Sequence, residues 1–190
     1  MTEAARDSGE VAELLSQLIR NECVNDGTEA SGNETRNVDT LRAYLGHTGL
    51  DLEVVGKAAL PDRASLVVRI EGSDPGAPSL SLLGHTDVVP VNRDGWSRDP
   101  FAAEIVDGEL WGRGAVDMLN QTAAMAVAFR RLAASGFRPR GTLVYSAIAD
   151  EEAGGVHGAE YLTRHHPDDV VTDYVLTEVG GVVSDGLKAT

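Results

Sequence analysis

The chain has 190 residues, 42% hydrophobic and 24% charged, which suits one soluble globular domain with a sizeable core. Its 30 acidic against 16 basic residues give a formal net charge of −14, which argues against the clustered basic surface of a nucleic-acid binder. The longest mostly apolar stretch, residues 118–129, is far short of the ~20 residues of a membrane span.

The opening residues show no basic segment followed by an apolar core, so a signal peptide is not expected. One cysteine, Cys23, excludes an internal disulfide and a thiolate metal cluster, and it reads as a small core residue. A cytoplasmic location is expected. Most of the acidic excess reads as solubility. A minority is what remains where carboxylates converge on cations that a residue count omits.

Asp7-Ser8-Gly9-Glu10 resembles a capping box ahead of Val11, Leu14, Leu15, Leu18 and Ile19 at helical spacing. A second helix is predicted after Asn33-Glu34-Thr35, with Val38, Leu41, Tyr44 and Leu45 inward and a stop at residues 46–49. Residues 52–55 and 65–70 read as strands, with Leu60-Pro61-Asp62 between them. A Gly- and Pro-rich loop at 72–78 leads into 79–83, a strand apolar enough to be buried on both faces. Residues 104–111 predict a hairpin turning at Asp107-Gly108. A helix is predicted over 118–134, ending near Gly136, then a buried strand over 142–149. A short helix over 159–166 is closed by Pro167, and 173–177 is a last apolar strand. Strands alternating with helices predict an α/β sandwich around a mainly parallel sheet.

Three of these strands deliver ligand-type side chains just past their C-terminal ends. Residues 79–83 lead to Gly84-His85-Thr86-Asp87, residues 142–149 to Asp150-Glu151-Glu152, and residues 173–177 to Glu178. In open α/β sheets ligands bind at the carboxyl ends of strands, so parallel neighbours would bring all three clusters to one rim. A fourth acid, Asp117, lies where Trp111-Gly112-Arg113-Gly114-Ala115 opens into a helix. Taken singly, each has an ordinary explanation: a helix start favours an acid, and paired glutamates suit a solvated turn. As a set they would repel one another and raise each other's pKa, a penalty that divalent cations remove. Five carboxylates, those of Asp87, Asp117, Glu151, Glu152 and Glu178, are brought near neutrality by two divalent ions better than by one.

These residues in this order resemble the zinc aminoacylase, carboxypeptidase and succinyl-diaminopimelate desuccinylase superfamily of co-catalytic metallopeptidases. The resemblance covers about half the chain. It rests on Gly84-His85-Thr86-Asp87-Val88-Val89-Pro90, Trp96 with Asp99-Pro100-Phe101, and Gly112-Arg113-Gly114-Ala115-Val116-Asp117-Met118. Asp150-Glu151-Glu152 and Thr177-Glu178-Val179-Gly180-Gly181 complete it. It implies a three-layer α/β catalytic domain with a mixed, mainly parallel sheet, of which residues 1–190 would be the N-terminal portion, stopping before a lid domain.

The resemblance further implies two divalent metal ions. His85 and Glu178 would bind one and Glu152 the other, while Asp117 would bridge both. Asp87 would stand behind His85 and accept a hydrogen bond from its second ring nitrogen. Glu151 would be the general base. A histidine and carboxylate set suits Zn²⁺, with Co²⁺ or Mn²⁺ able to substitute.

The implied reaction is hydrolysis of a peptide or N-acyl amino acid amide by metal-activated water. A deacylase or desuccinylase acting on a small metabolite, and a fragment that binds metal incompletely, are the alternatives. Many members follow the bridging aspartate with Met-Lys-Gly, whereas Met118-Leu119-Asn120-Gln121 follows here. Members also take a last histidine ligand from farther along a longer chain and dimerise through the lid. His157, His165, His166 and His47 lie in the wrong segments to replace that ligand.

Adjacent residues of a strand face opposite ways, so Glu151 and Glu152 can share one site only if the chain bends, with Gly154-Gly155 allowing the turn. The resemblance also implies a cis peptide bond after Asp117. A dinucleotide fingerprint is not formed, since Gly112-Arg113-Gly114 lacks its third glycine, and no Gly-x-Ser-x-Gly elbow is present.

Overall fold

The computed structural model describes residues 3–46, 60–178, 183–184 and 187–188, with side chains over 9–46 and 60–178. The strand predicted at 52–55 lies outside the described residues, as does most of the stop at 46–49.

The first helix, α1 (Glu3–Arg20), buries Leu14, Leu15, Leu18 and Ile19, the stripe its spacing predicts. It begins earlier than expected and runs straight through residues 7–10. Glu10 is therefore no capping residue. Its carboxylate accepts hydrogen bonds from the Tyr44 hydroxyl at 2.6 Å, Arg130 at 2.9 Å and Arg131 at 2.6 Å. This ties α1 to α2 (Thr35–Leu45) and to α3 (Leu119–Ala134). The second helix buries Val38, Leu41 and Leu45.

A four-stranded sheet forms the centre. Its strands are β1 (Leu66–Ile70), β2 (Leu80–His85), β5 (Leu143–Ile148) and β6 (Tyr174–Leu176), in the order β1-β5-β2-β6. The pairs β5–β2 and β2–β6 are parallel, and β1 joins β5 antiparallel. All six residues of β5, apolar but for Ser146, are buried, as expected of a strand covered on both faces.

On one face Leu66, Val68, Leu82, Tyr145 and Ala147 join the main core with α1, α2 and α3. On the other, Val67, Val144 and Ile148 pack on Leu162 of α4 (Tyr161–His165). The result is a three-layer α/β sandwich with a mixed sheet.

Apart from the sheet, β3 (Glu104–Val106) and β4 (Glu109–Trp111) form the predicted hairpin. Asp107 and Gly108, at φ 53° and 86°, supply the two positive angles of a tight turn matching strand twist. Pro167 departs from expectation. It opens a further helical turn, α5 (Pro167–Val170), where its fixed φ and missing N–H cost nothing, instead of merely closing α4. A two-residue hairpin pairs β7 (Val183–Ser184) with β8 (Leu187–Lys188). Among the described residues no helix is long and apolar enough to cross a membrane.

Candidate metal centre

His85 is the last residue of β2, and its ring is buried. Gly84 before it has no room for a side chain, because a Cβ would run into the Thr122 hydroxyl of α3. That close approach lets Thr122 Oγ1 donate to the His85 carbonyl at 2.8 Å. The ring is oriented from behind: Nδ1 lies 2.9 Å from the main-chain carbonyl oxygen of Asp87.

The expected hydrogen bond from His85 to Asp87 is therefore made to the main chain, while the carboxylate Oδ1 stands 3.6 Å away. That carboxylate has other work. Oδ1 accepts from the Glu151 amide at 3.2 Å, and Oδ2 from the Glu152 amide at 3.1 Å and from Asn25 Nδ2 at 2.8 Å.

Past β5 the chain turns as expected. Asp150 adopts φ 64°, Glu151–Ala153 form one 3₁₀ turn, and Gly154 and Gly155 follow at φ 100° and 73°. Those angles are easy only for residues that tolerate the left-handed region. Glu151 and Glu152 thereby leave strand geometry and turn toward one site. The peptide bond between Asp117 and Met118 is cis, as the resemblance implies. Glu178 arrives from β6, whose Leu176 pairs with Leu82 of β2, so two further residues on each strand bring Glu178 level with Gly84.

All the predicted site residues meet at this rim. His85 Nε2 is 3.1 Å from Asp117 Oδ1, 3.4 Å from Glu178 Oε1 and 3.8 Å from Glu151 Oε2. Ligand-type atoms of His85, Asp117 and Glu152 lie within 4.8 Å of one another, and so do those of His85, Glu151 and Glu178. The crowding shows in the titration behaviour. Burial pulls the His85 pKa down, but the carboxylates of Asp87, Asp117 and Glu151 outweigh it and the net shift is upward. Burial first, and neighbouring carboxylates second, push Glu152 and Glu178 up.

This geometry fits a cation. A carbonyl can only accept, so Nδ1 carries the ring proton, and Nε2 of the neutral imidazole presents its lone pair to carboxylate oxygens. Acceptor facing acceptor is repulsive unless a proton or a cation lies between. A histidine nitrogen and several carboxylate oxygens, with the second ring nitrogen hydrogen-bonded, form the donor set of a borderline divalent ion.

Comparison with known proteins agrees. Residues 81–187 match the model of peptidase family M20/M25/M40. The chain belongs to this family. Succinyl-diaminopimelate desuccinylase of Stenotrophomonas maltophilia is 46% identical to this M20 chain over 90 residues, 47% of the chain and 24% of the relative. The enzyme of the same name from Parvibaculum lavamentivorans is 44% identical over 121 residues, covering 62% and 29%. The chain thus spans about a quarter of the length of the curated relatives it matches.

Among solved structures, human carnosine dipeptidase 1 superposes with a TM-score of 0.66 at 25% identity, covering 89% of this chain and 38% of that one. An M20 family metallo-carboxypeptidase from Sulfolobus solfataricus gives 0.70 at 20% identity, covering 96% and 38%, and shares the fold.

Behind this cluster stand three buried polar residues that the motifs do not reveal: Asn25, Glu34 and Arg63. Arg63 Nη1 pairs with Asp150 Oδ1 at 2.6 Å and with Glu34 Oε1 at 3.1 Å. Asp150 Oδ2 also accepts from the His157 amide at 2.9 Å. Asp150, part of the Asp-Glu-Glu motif, thus faces inward as an anchor while its two neighbours face the site. Only the polar character of residues 25, 34 and 63 beside apolar runs could have hinted at this.

Proposed function

We propose that this chain forms the N-terminal portion of the catalytic domain of a two-metal hydrolase that cleaves the amide bond of a peptide or an N-acyl amino acid. The observation that carries the reading is the orientation of His85, whose Nε2 faces Asp117, Glu178 and Glu151 while Nδ1 is held by the Asp87 carbonyl.

His85 and Glu178 would hold one divalent ion and Glu152 the other, with Asp117 shared between them. Zinc suits this set best, and cobalt or manganese could replace it. When bound, such ions polarise a carbonyl and make water a stronger acid. Glu151 removes a proton from the attacking water and delivers it to the departing amine nitrogen, so that amide plus water gives carboxylic acid plus amine. Asp87, through the amides of Glu151 and Glu152, holds the turn that carries this base. Cys23 is buried and unpaired, which suits the reducing cytoplasm expected from the sequence.

A desuccinylase acting on a small N-succinyl metabolite is the second reading. It is favoured by the 46% and 44% identity to enzymes of that name over 90 and 121 residues. Assay of the intact enzyme with N-succinyl amino acids, N-acyl amino acids and dipeptides, with zinc or cobalt, separates the two. The shared mechanism is tested by Glu151→Gln. Metal content should stay at the parent level while kcat falls by about 10²–10⁴-fold, and retained turnover would remove Glu151 as the base.

A further inference from the structure

The layer of buried polar groups behind the carboxylates has no part in the chemistry above, yet it joins the two strand ends that make the site. Asn25 is 3% exposed and every polar atom of its carboxamide is used. Its Nδ2 donates to Asp87 Oδ2 at 2.8 Å and to Asp150 Oδ1 at 3.0 Å. Its Oδ1 accepts from Arg63 Nη2 at 3.1 Å and from the Gly27 amide at 3.1 Å. Arg63 is 2% exposed and completes the bracket by pairing with Asp150 and Glu34. The enclosure is tight: a Cβ at Gly32 would meet the Glu34 carboxylate at 2.6 Å and Arg63 Cζ at 2.8 Å.

Asp87 follows β2 and Asp150 follows β5, so the one amide of Asn25 spans the two halves of the site. Two buried carboxylates brought together repel each other unless donors and a cation intervene. Asn25 supplies the donors and Arg63 the cation. The Asp87 carboxylate held in this way is the same one that receives the Glu151 and Glu152 amides.

We propose that Asn25, backed by Arg63, is a positioning residue that fixes the Glu151–Glu152 turn against the His85–Asp87 segment and so sets where the Glu151 carboxylate can reach. This rests on the reading of Glu151 as the proton carrier. It assigns a role in turnover to a residue 62 positions from Asp87 and 125 from Asp150. Asn25 touches neither the reacting bond nor the ligand atoms, and it acts through the two aspartates.

The test uses the intact enzyme with two substitutions of opposite character. Asn25→Asp keeps the size of the side chain and an acceptor for Arg63, but removes the donor shared by Asp87 and Asp150. Asn25→Ala removes the amide without adding charge. Both are expected to lower kcat about 10–100-fold, the usual cost of losing a partner behind a metal ligand, with KM changed by less than about threefold. Zinc titration of the metal-stripped proteins reads the Glu152 side of the turn without turnover, and affinity should fall about tenfold.

A kcat and a zinc affinity within about twofold of the parent in a folded Asn25 variant, whatever its melting temperature, would show that the bracket is only structural and would overturn the proposal. If neither Asn25 variant folds, Arg63→Lys decides on the same readouts. It keeps the cation at Asp150 and Glu34 but loses the planar fork that also reaches Asn25. Parent-like kcat and zinc affinity there would overturn the proposal, and a tenfold loss of kcat with KM unchanged would support it. Glu151→Gln is assayed in parallel. If it is active, the reaction reading fails; if it is inactive and the positioning variants behave like the parent, this inference alone fails.

Discussion

The Asp87 carboxylate accepts a hydrogen bond from the main-chain amide of Glu152 at 3.1 Å, so the loop after β2 holds the turn after β5 through a side chain. With the neighbouring bond to the Glu151 amide at 3.2 Å, one side chain satisfies two N–H groups of the 3₁₀ turn. The acid next to the histidine thereby steers the glutamates more than it steers the imidazole.

Asp87→Asn follows from that relation. An amide in place of the carboxylate has one oxygen and one NH₂, and the NH₂ cannot accept from an N–H. With the NH₂ at the Oδ1 position the Glu151 amide loses its partner, and at the Oδ2 position both the Glu152 amide and Asn25 do. The expected result in the intact enzyme is a kcat reduced about 10–100-fold with the protein still folded. Steady-state kinetics beside a thermal melt checks it, and a parent-like kcat would deny the carboxylate its role.

Metal removal should change how stability depends on pH. In the metal-free chain the pKa of His85 is raised, so its contribution is full below the ordinary value of 6.5 and is lost as pH rises through the folded value. Glu152 and Glu178 are raised too. Each favours the folded state most below the ordinary 4.5 and loses that contribution as pH rises. All three act in one direction, so melting temperature without metal should fall between about pH 5 and 8. Zinc needs those same groups deprotonated, so its stabilisation should grow over the same range. Melts with chelator and with zinc at several pH values would reveal parallel curves if the cluster binds no metal.

Glu34 makes a separate pH prediction. Burial pushes its pKa up to about 7, outweighing Arg63, whose guanidinium 3.1 Å away pulls it down. Relative to an unfolded value of 4.5, the folded chain holds the proton more tightly, so this contribution is full below 4.5 and lost by about pH 7. Glu34→Gln keeps an acceptor for Arg63 and the Asp150 amide without a titrating group. It should flatten the pH dependence of unfolding over that window by on the order of 1–3 kcal/mol. Denaturant unfolding at pH 5 and pH 7 measures the difference, and an unchanged slope would contradict it.

The sequence makes the rim legible because it concentrates information locally. An apolar strand followed at once by His85 and Asp87, or by Asp150, Glu151 and Glu152, already states which end of the sheet carries the polar groups. The bend at Glu151–Ala153 follows from strand alternation once both glutamates are required at one site. Long-range partners leave no such trace. Asn25 stands before Asp26-Gly27, and nothing near it points to Asp87 or Asp150. Glu10 misleads for the opposite reason, since its spacing from Asp7 imitates a cap while its partners lie on α2 and α3. Pro167 ends one helix in sequence terms, yet the same ring suits the first turn of the next.

Gly84→Ala tests how closely the sheet end and α3 must approach. A Cβ at residue 84 would collide with the Thr122 hydroxyl and come within 3.2 Å of Met125 Cε. Met125 can move, being flexible. Thr122 cannot easily do so, because its Oγ1 donates to the His85 carbonyl at 2.8 Å and its own carbonyl accepts from the buried Tyr145 hydroxyl at 3.1 Å. Accommodating one methyl must therefore shift α3 or the His85 backbone, at a cost of about 1–3 kcal/mol for an overpacked core site. A moved His85 carries Nε2 away from Asp117, so zinc affinity should fall together with stability. Thr122→Ala removes the hydroxyl that the new Cβ would meet. Combined with Gly84→Ala, it should recover part of the stability if packing at this contact is the cause. Denaturant unfolding and zinc titration of both variants decide it: a Gly84→Ala protein as stable as the parent would mean that the strand end is looser than its packing indicates.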